Sequence, residues 1–302
     1  MKAKKDLAVL ALVALVAGCG LTIATIINRN KNEHPKIVVS NFVAYDFARE
    51  ITGDKDIKML IKPATETHDF EPSPQDIVDI TDADFFIYNG GESERWVENI
   101  LQDNNISENK TIRMMDFVEL KQEDGEDEYD EHIWTNPLNA VRIINAIRDH
   151  LIAKNSGKVN EYAENADNYT SRIMQDDQKI RDIVKTAKRK ELIFADRFPF
   201  RYFVDEYGLD YFAAFPGCSE QTEASSQTIT ELIEKVKADN IPVILKIELT
   251  SDALAKTIAS ETGAEIRTMN AAHNVSQADF DAGKSYADYL EQNIEVLKEA
   301  LN

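Results

Sequence analysis

The chain has 302 residues, long enough for two domains of ordinary size, each with its own core. Apolar residues make up 43% and charged residues 29%, the composition of a folded globular body. A formal net charge of −20 argues against nucleic acid or an anionic lipid surface as its partner.

The amino terminus carries an export pattern. Lys2, Lys4 and Lys5 form a basic segment, Leu7 to Ala17 is continuously apolar, and Val16-Ala17-Gly18-Cys19 places small residues directly before a cysteine. This resembles a bacterial lipobox, which predicts a signal peptide over 1–18 and lipidation of Cys19. The apolar run resumes at Leu21 to Ile27, so an uncleaved anchor is the competing reading. Both put the body on the extracytoplasmic face of the cell membrane, tethered through 19–34, where Asn28 to Glu33 are polar enough to be flexible. The remaining cysteine, Cys218, has no partner for an internal disulfide, so the core must stabilise the body.

Lys36 to Ser40 reads as a β-branched strand running into a helix from Phe42 to Ile51 that Gly53 closes. Ile57 to Ile61 reads as a second strand, followed by the polar loop Thr65 to Pro74 with His68 inside it. Ser73 and Pro74 predict an N-cap and first helical position. A third strand over Ala83 to Tyr88 ends in Asn89-Gly90-Gly91, which predicts a tight turn; no phosphate-binding glycine motif is present. Glu123 to Glu131 holds seven carboxylates in nine residues, which predicts a self-repelling solvated loop, with weak cation collection as the alternative. His132 follows at once, then an amphipathic helix from Pro137 to Leu151.

Residues 157–190 read as one long helix, a rigid connector between two lobes, with irregular apolar spacing. The second half repeats the strand–helix alternation. Strands are expected at Leu192–Ala195, Tyr211–Phe215, Ile241–Ile247 and Glu265–Thr268, and helices at Ser226–Ala238, Ala253–Thr262 and Ser285–Leu301. Such alternation means βαβ units and mostly parallel sheets.

Of five histidines, His34 falls in the tether and His150 within a helix. His68, His132 and His273 each fall in a loop. Three imidazoles with one carboxylate would suit a closed Zn²⁺ site, although spacing alone does not bring them together.

The motifs Glu66-Thr67-His68-Asp69-Phe70-Glu71-Pro72-Ser73-Pro74, Gly91-Glu92-Ser93-Glu94-Arg95-Trp96, His132-Ile133-Trp134-Thr135-Asn136-Pro137 and Tyr202 to Leu209 resemble the zinc/manganese solute-binding lipoproteins of bacterial ABC importers. The resemblance runs from about Ile37 to the carboxyl terminus. It implies an α/β fold of two Rossmann-like lobes joined by one long rigid helix, with lobes at 35–155 and 191–302 around a linking helix at 156–190. It also implies a single metal held in the cleft between lobes and delivered by a monomer to a membrane permease. His68 and His132 fall on the family's first two ligands. The third lands on Arg197, whose guanidinium has no lone pair to give. The family's last carboxylate falls near Asn270, three residues before His273. The expected set is therefore His68, His132 and His273 with Asp196, for Zn²⁺ rather than Mn²⁺. Glu248 is the reserve ligand, and an ion pair with Arg197 is the alternative role for Asp196. A closed set leaves no place for activated water, so no enzymatic activity is expected. An adhesin with an altered or lost site and a surface metallohydrolase are the alternatives. The long helix predicts release by local loop rearrangement rather than wide lobe closure.

Overall fold

The computed structural model describes residues 35–65, 67, 70–122, 128–215, 217 and 224–302. The expected signal peptide, Cys19, His34, the tether, His68 and Cys218 lie outside the described residues.

The first lobe is a four-stranded parallel sheet of β1 (Ile37–Val39), β2 (Lys58–Met59), β3 (Phe85–Tyr88) and β4 (Thr111–Arg113), in the order β2-β1-β3-β4. Val38 pairs with Lys58 on one side and Phe86 on the other. The second lobe repeats this plan with β5 (Glu191–Phe194), β6 (Asp210–Ala213), β7 (Val243–Lys246) and β8 (Glu265–Thr268), in the order β6-β5-β7-β8, again all parallel. The two sheets therefore share one topology, as strictly alternating strands and helices require. β4 is the strand that the sequence did not announce: three residues following a helical turn carry too little alternation to read.

Helix boundaries follow local chemistry. α1 (Phe42–Thr52) starts at Asn41, whose side chain accepts from the Ala44 amide, and stops at Gly53 in the left-handed region, φ 69°. α2 (Pro74–Asp82) has Pro74 at its first turn and a reciprocal capping box between Ser73 and Asp76. α3 (Arg95–Asp103) follows a short 3₁₀ turn, and α4 (Pro137–Lys154) begins behind the Asn136 cap.

The long helix α5 (Val159–Thr186) has 28 residues, about 42 Å at 1.5 Å per residue. It packs against α4, α1 and the last helix, whose range is Tyr286–Leu301. Its buried positions are Tyr162, Ala166, Tyr169, Thr170, Ile173, Asp176, Asp177, Ile180 and Val184. That is a regular three-to-four-residue stripe, with two carboxylates at core positions. Asp177 sits there because the Tyr207 hydroxyl donates to it at 2.8 Å and Arg181 pairs with it at 2.9 Å. The apolar pattern looked irregular because these positions are polar, and the helix is a buried spine as well as a connector.

The largest apolar cluster crosses both lobes. It joins Phe47 and Trp134 to Tyr169 and Ile173 of the spine and to Phe203, Tyr286 and Leu297. Two smaller clusters lie apart from it, one around Val38 and Phe86, the other around Ile193 and Ile244.

Candidate metal-binding cleft

In parallel α/β sheets, ligand groups gather in loops beyond the carboxyl ends of strands. Here those loops from both lobes face one cavity of about 340 Å³, whose wall includes Thr67, His132, Arg197, Glu248, Leu249 and His273. His132 lies on the loop that follows β4, Arg197 follows β5, Glu248 follows β7 and His273 follows β8.

His132 and His273, 141 positions apart in sequence, meet with ring centroids 4.9 Å apart, nearly perpendicular at 88°. His132 is fully buried and its Nδ1 lies 3.0 Å from Asp130 Oδ1, which also accepts from the His132 amide at 2.7 Å. Asp130 is held in turn by Tyr202, whose hydroxyl donates to the Asp130 carbonyl at 2.9 Å. With the neutral tautomer protonated at Nδ1, this leaves Nε2 as the lone-pair donor, the arrangement in which an outer carboxylate orients a metal-binding imidazole. Sequence reasoning missed Asp130 because it belongs to the acidic run. The run does not stay solvated to its end: Asp130 is 1% and Glu131 3% exposed. Glu131 accepts from the Ser93 amide and hydroxyl and approaches Gly91, where a Cβ would lie 2.6 Å from its Oε2. The two-residue spacing of Asp130 before His132 was the available signal.

The His273 loop is built on Glu248. Its carboxylate accepts from the amides of Ala271 at 2.8 Å, His273 at 3.0 Å and Asn274 at 3.5 Å. Burial pushes the Glu248 carboxyl up, and those three amides oppose the shift. His273 Nε2 lies 2.9 Å from Thr67 Oγ1 of the first lobe. Ala64 donates its amide to the Val275 carbonyl at 2.8 Å, and Asn274 Nδ2 donates to the Thr65 carbonyl, so the loop of His68 is stitched to the loop of His273. Ala64, Leu249 and Ala272 are all left-handed, with φ of 60°, 58° and 56°. Non-glycine residues adopt this region at a cost, and such residues collect where ligands are clamped.

Asp196 is buried and stands behind the cavity wall. Its Oδ1 accepts from the Arg197 amide at 2.9 Å, and its Oδ2 accepts from the Ile247 amide at 3.1 Å and from the Thr250 hydroxyl. Asn270 turns its side chain elsewhere, Nδ2 donating to Gln292 Oε1 at 3.5 Å, while its backbone N–H donates to Asn293 Oδ1 at 2.7 Å. Among the described residues no three ligating side chains form a finished metal centre. The structure brings together His132, His273, Glu248 and Arg197; His68 lies outside the described residues, next to Thr67 of the cavity wall.

Two parallel lobes braced by one helix, with a histidine-bearing cleft at their strand ends, define a solute-binding protein. The family model of ZnuA, the periplasmic zinc-uptake complex component A, matches residues 37–300, and the chain belongs to that family. It is 30% identical over 301 residues to the high-affinity zinc uptake system protein ZnuA of Bacillus subtilis, covering 95% of this chain and 94% of that one. It is 29% identical to the zinc-binding lipoprotein AdcA of Streptococcus pneumoniae, where it spans 60% of the relative's length. The Zn(II)-bound ZnuA-like domain of S. pneumoniae AdcA superposes with a TM-score of 0.78 at 30% identity, over 89% of this chain and 99% of that domain. The two-lobed fold expected from the sequence is the one observed.

Proposed function

We propose that this protein captures Zn²⁺ on the extracytoplasmic face of the membrane and hands it to the permease of an ABC importer. The observation that carries the reading is the meeting of His132 and His273 in a cleft between lobes, from loops 141 positions apart. His68 is the third imidazole, on a loop whose neighbouring residues Ala64 and Thr67 reach the same cavity. Imidazole donors favour Zn²⁺ over the oxygen-seeking Mn²⁺. Asp196 acts as a brace for the Arg197 loop, because three donors already engage its carboxylate. Glu248 shapes the His273 loop in the same way. The protein works as a lipid-anchored monomer, processed at 1–18 and tethered by 19–34 through Cys19, and catalyses no reaction. Among the described residues no helix is long and apolar enough to cross a membrane.

Calorimetric titration of the metal-stripped protein with Zn²⁺ and Mn²⁺, beside His273→Ala, tests the reading. Tight one-to-one zinc binding that collapses in the variant is expected. Tight binding that the substitution leaves intact would remove His273 from the site, and no tight binding of either metal would overturn the function.

A further inference from the structure

Trp134 packs against both imidazoles of the cleft. Its ring centroid lies 5.7 Å from that of His132 and 5.9 Å from that of His273, so the three rings form one contiguous group. The indole is buried, at 1% exposure. Its backbone belongs to the first lobe, in the 3₁₀ turn Ile133–Thr135 that follows His132 directly. Three bonds hold that turn: the Thr135 hydroxyl donates to the His132 carbonyl at 2.8 Å, Asn139 Nδ2 to the Ile133 carbonyl at 3.1 Å, and the Tyr286 hydroxyl to the Trp134 carbonyl at 2.8 Å. Its side chain reaches the second lobe, where Nε1 donates to the Ala271 carbonyl at 2.7 Å. Ala271 comes two residues before His273, and the left-handed Ala272 separates them. One residue thus fixes His132 through the chain and the His273 loop through the indole.

A zinc ion sits at about 2.0–2.1 Å from imidazole nitrogens with four donors around it, whereas manganese takes six, mostly oxygen. A larger coordination sphere requires the imidazoles to spread. His132 has no room to retreat, being fully buried with Nδ1 held by Asp130. Spreading must therefore come from His273, whose ring rests on the indole and whose loop is tied to it at Ala271. We infer that Trp134 is a positioning residue that holds the His132 and His273 imidazoles at the separation a small four-coordinate ion requires, and so sets the preference of the cleft for zinc over manganese. The inference rests on the zinc-capture reading and deepens it, because selectivity then depends on how tightly the donors are held as well as on what they are. Indole combines a broad flat wall with an N–H donor; phenylalanine keeps a smaller wall without the donor, and leucine has neither ring nor donor.

The test compares the metal-stripped full chain with Trp134→Phe and Trp134→Leu, by zinc calorimetry, by competition between zinc and manganese, and by visible absorption with cobalt(II) in place of zinc. Ile173→Ala, on the spine within the same apolar cluster, controls for lost stability. Zinc-over-manganese preference should fall about tenfold or more in Trp134→Leu, the scale of groups that orient metal ligands, and by less in Trp134→Phe. The strong absorption of four-coordinate cobalt should weaken in the same order, and Ile173→Ala should match the unmodified protein in both readouts. A general loss of stability would weaken both metals alike and leave the spectrum of bound cobalt unchanged; that result in a folded Trp134→Leu overturns the inference, as does unmodified affinity and preference. If Trp134→Leu does not fold, Trp134→Phe is judged by the same two readouts. Tight zinc binding by the unmodified protein keeps the capture function standing in each of these cases, and its absence overturns both readings.

Discussion

Asp130→Asn and Asp130→Ala together measure how much of the cleft's metal affinity comes from orienting one imidazole. Asp130 Oδ1 takes two hydrogen bonds from His132, at 2.7 Å from the amide and 3.0 Å from the ring nitrogen, in a site closed to water. Asparagine keeps an acceptor oxygen in place but removes the negative charge that makes the imidazole a better donor. Partners of this kind are worth about 10–100-fold in metal affinity, or ~1.4–2.7 kcal/mol. Asp130→Asn should therefore lose about tenfold in zinc affinity with little change in fold stability. Alanine removes the acceptor altogether, leaves the His132 amide buried without its partner, and should cost a further ~1–3 kcal/mol of stability. Zinc titration by calorimetry reads the first effect and urea unfolding of the metal-free protein the second. Wild-type zinc affinity in a folded Asp130→Ala would refute the argument, since nothing would then link the acid to the ring.

Three further outcomes follow from other parts of the molecule. Gly91→Ala should destabilise the metal-free protein by ~1–3 kcal/mol in urea unfolding, because φ is +94° and the new Cβ would meet the Glu131 side chain. Glu248→Gln keeps the size of the side chain but puts an amide donor against backbone amides at Ala271 or His273. Zinc titration should show at least a tenfold loss of affinity, with Arg197 unchanged. Asp46 is wholly buried between α1 and the spine, where it accepts from the Tyr169 hydroxyl and the Tyr286 amide and pairs with Arg49. Burial pushes its carboxyl from an ordinary 3.8 up to about 7. A carboxyl raised on folding binds more protons in the native state than in the unfolded one between those values. Its contribution is therefore fully present below about pH 4 and is lost as pH rises toward 7, by up to ~4 kcal/mol. Asp46→Asn cannot ionise, so its stability relative to the unmodified protein should improve from pH 4 to pH 8; a constant difference in urea unfolding across that range would contradict the assignment.

Much of the architecture was readable because it is set by local chemistry. The strand–helix alternation, the Ser73 and Pro74 start of α2, and Gly53 and Gly263 as helix stops each depend on a few adjacent residues. What could not be read depends on distant partners. β4 is three residues long and is defined by pairing with β3. Asp176 and Asp177 interrupt the apolar stripe of the spine, and only the positions of Tyr207 and Arg181 explain why Asp177 is tolerated. Asp130 and Glu131 read as two more charges in a solvated run, until the fold supplies His132, Ser93 and Tyr202 to meet them. The histidines were visible, but their convergence was not: loop position identifies a candidate, and only topology places β4 and β8 loops on the same cleft.

The same bonds decide how such a cleft can open. A rigid separation of the lobes would have to break the apolar cluster that runs from Phe47 through Tyr169 to Leu297, since that cluster belongs to neither lobe alone. It would also have to break the bond from Trp134 Nε1 to the Ala271 carbonyl at 2.7 Å and that from the Tyr286 hydroxyl to the Trp134 carbonyl at 2.8 Å, both buried. Losing buried hydrogen bonds along with core packing costs many times thermal energy. The loop contacts at the cavity mouth are weaker in kind: Thr67 to His273, Ala64 to Val275 and Thr65 to Asn274 join short segments containing the left-handed Ala64 and Ala272. Relaxing those backbones returns strain energy as the contacts part. The low-cost opening is therefore a loosening of Ala64, Thr65 and Thr67 against 272–275 around an intact spine, which exposes the His273 ring while His132 stays fixed on Asp130.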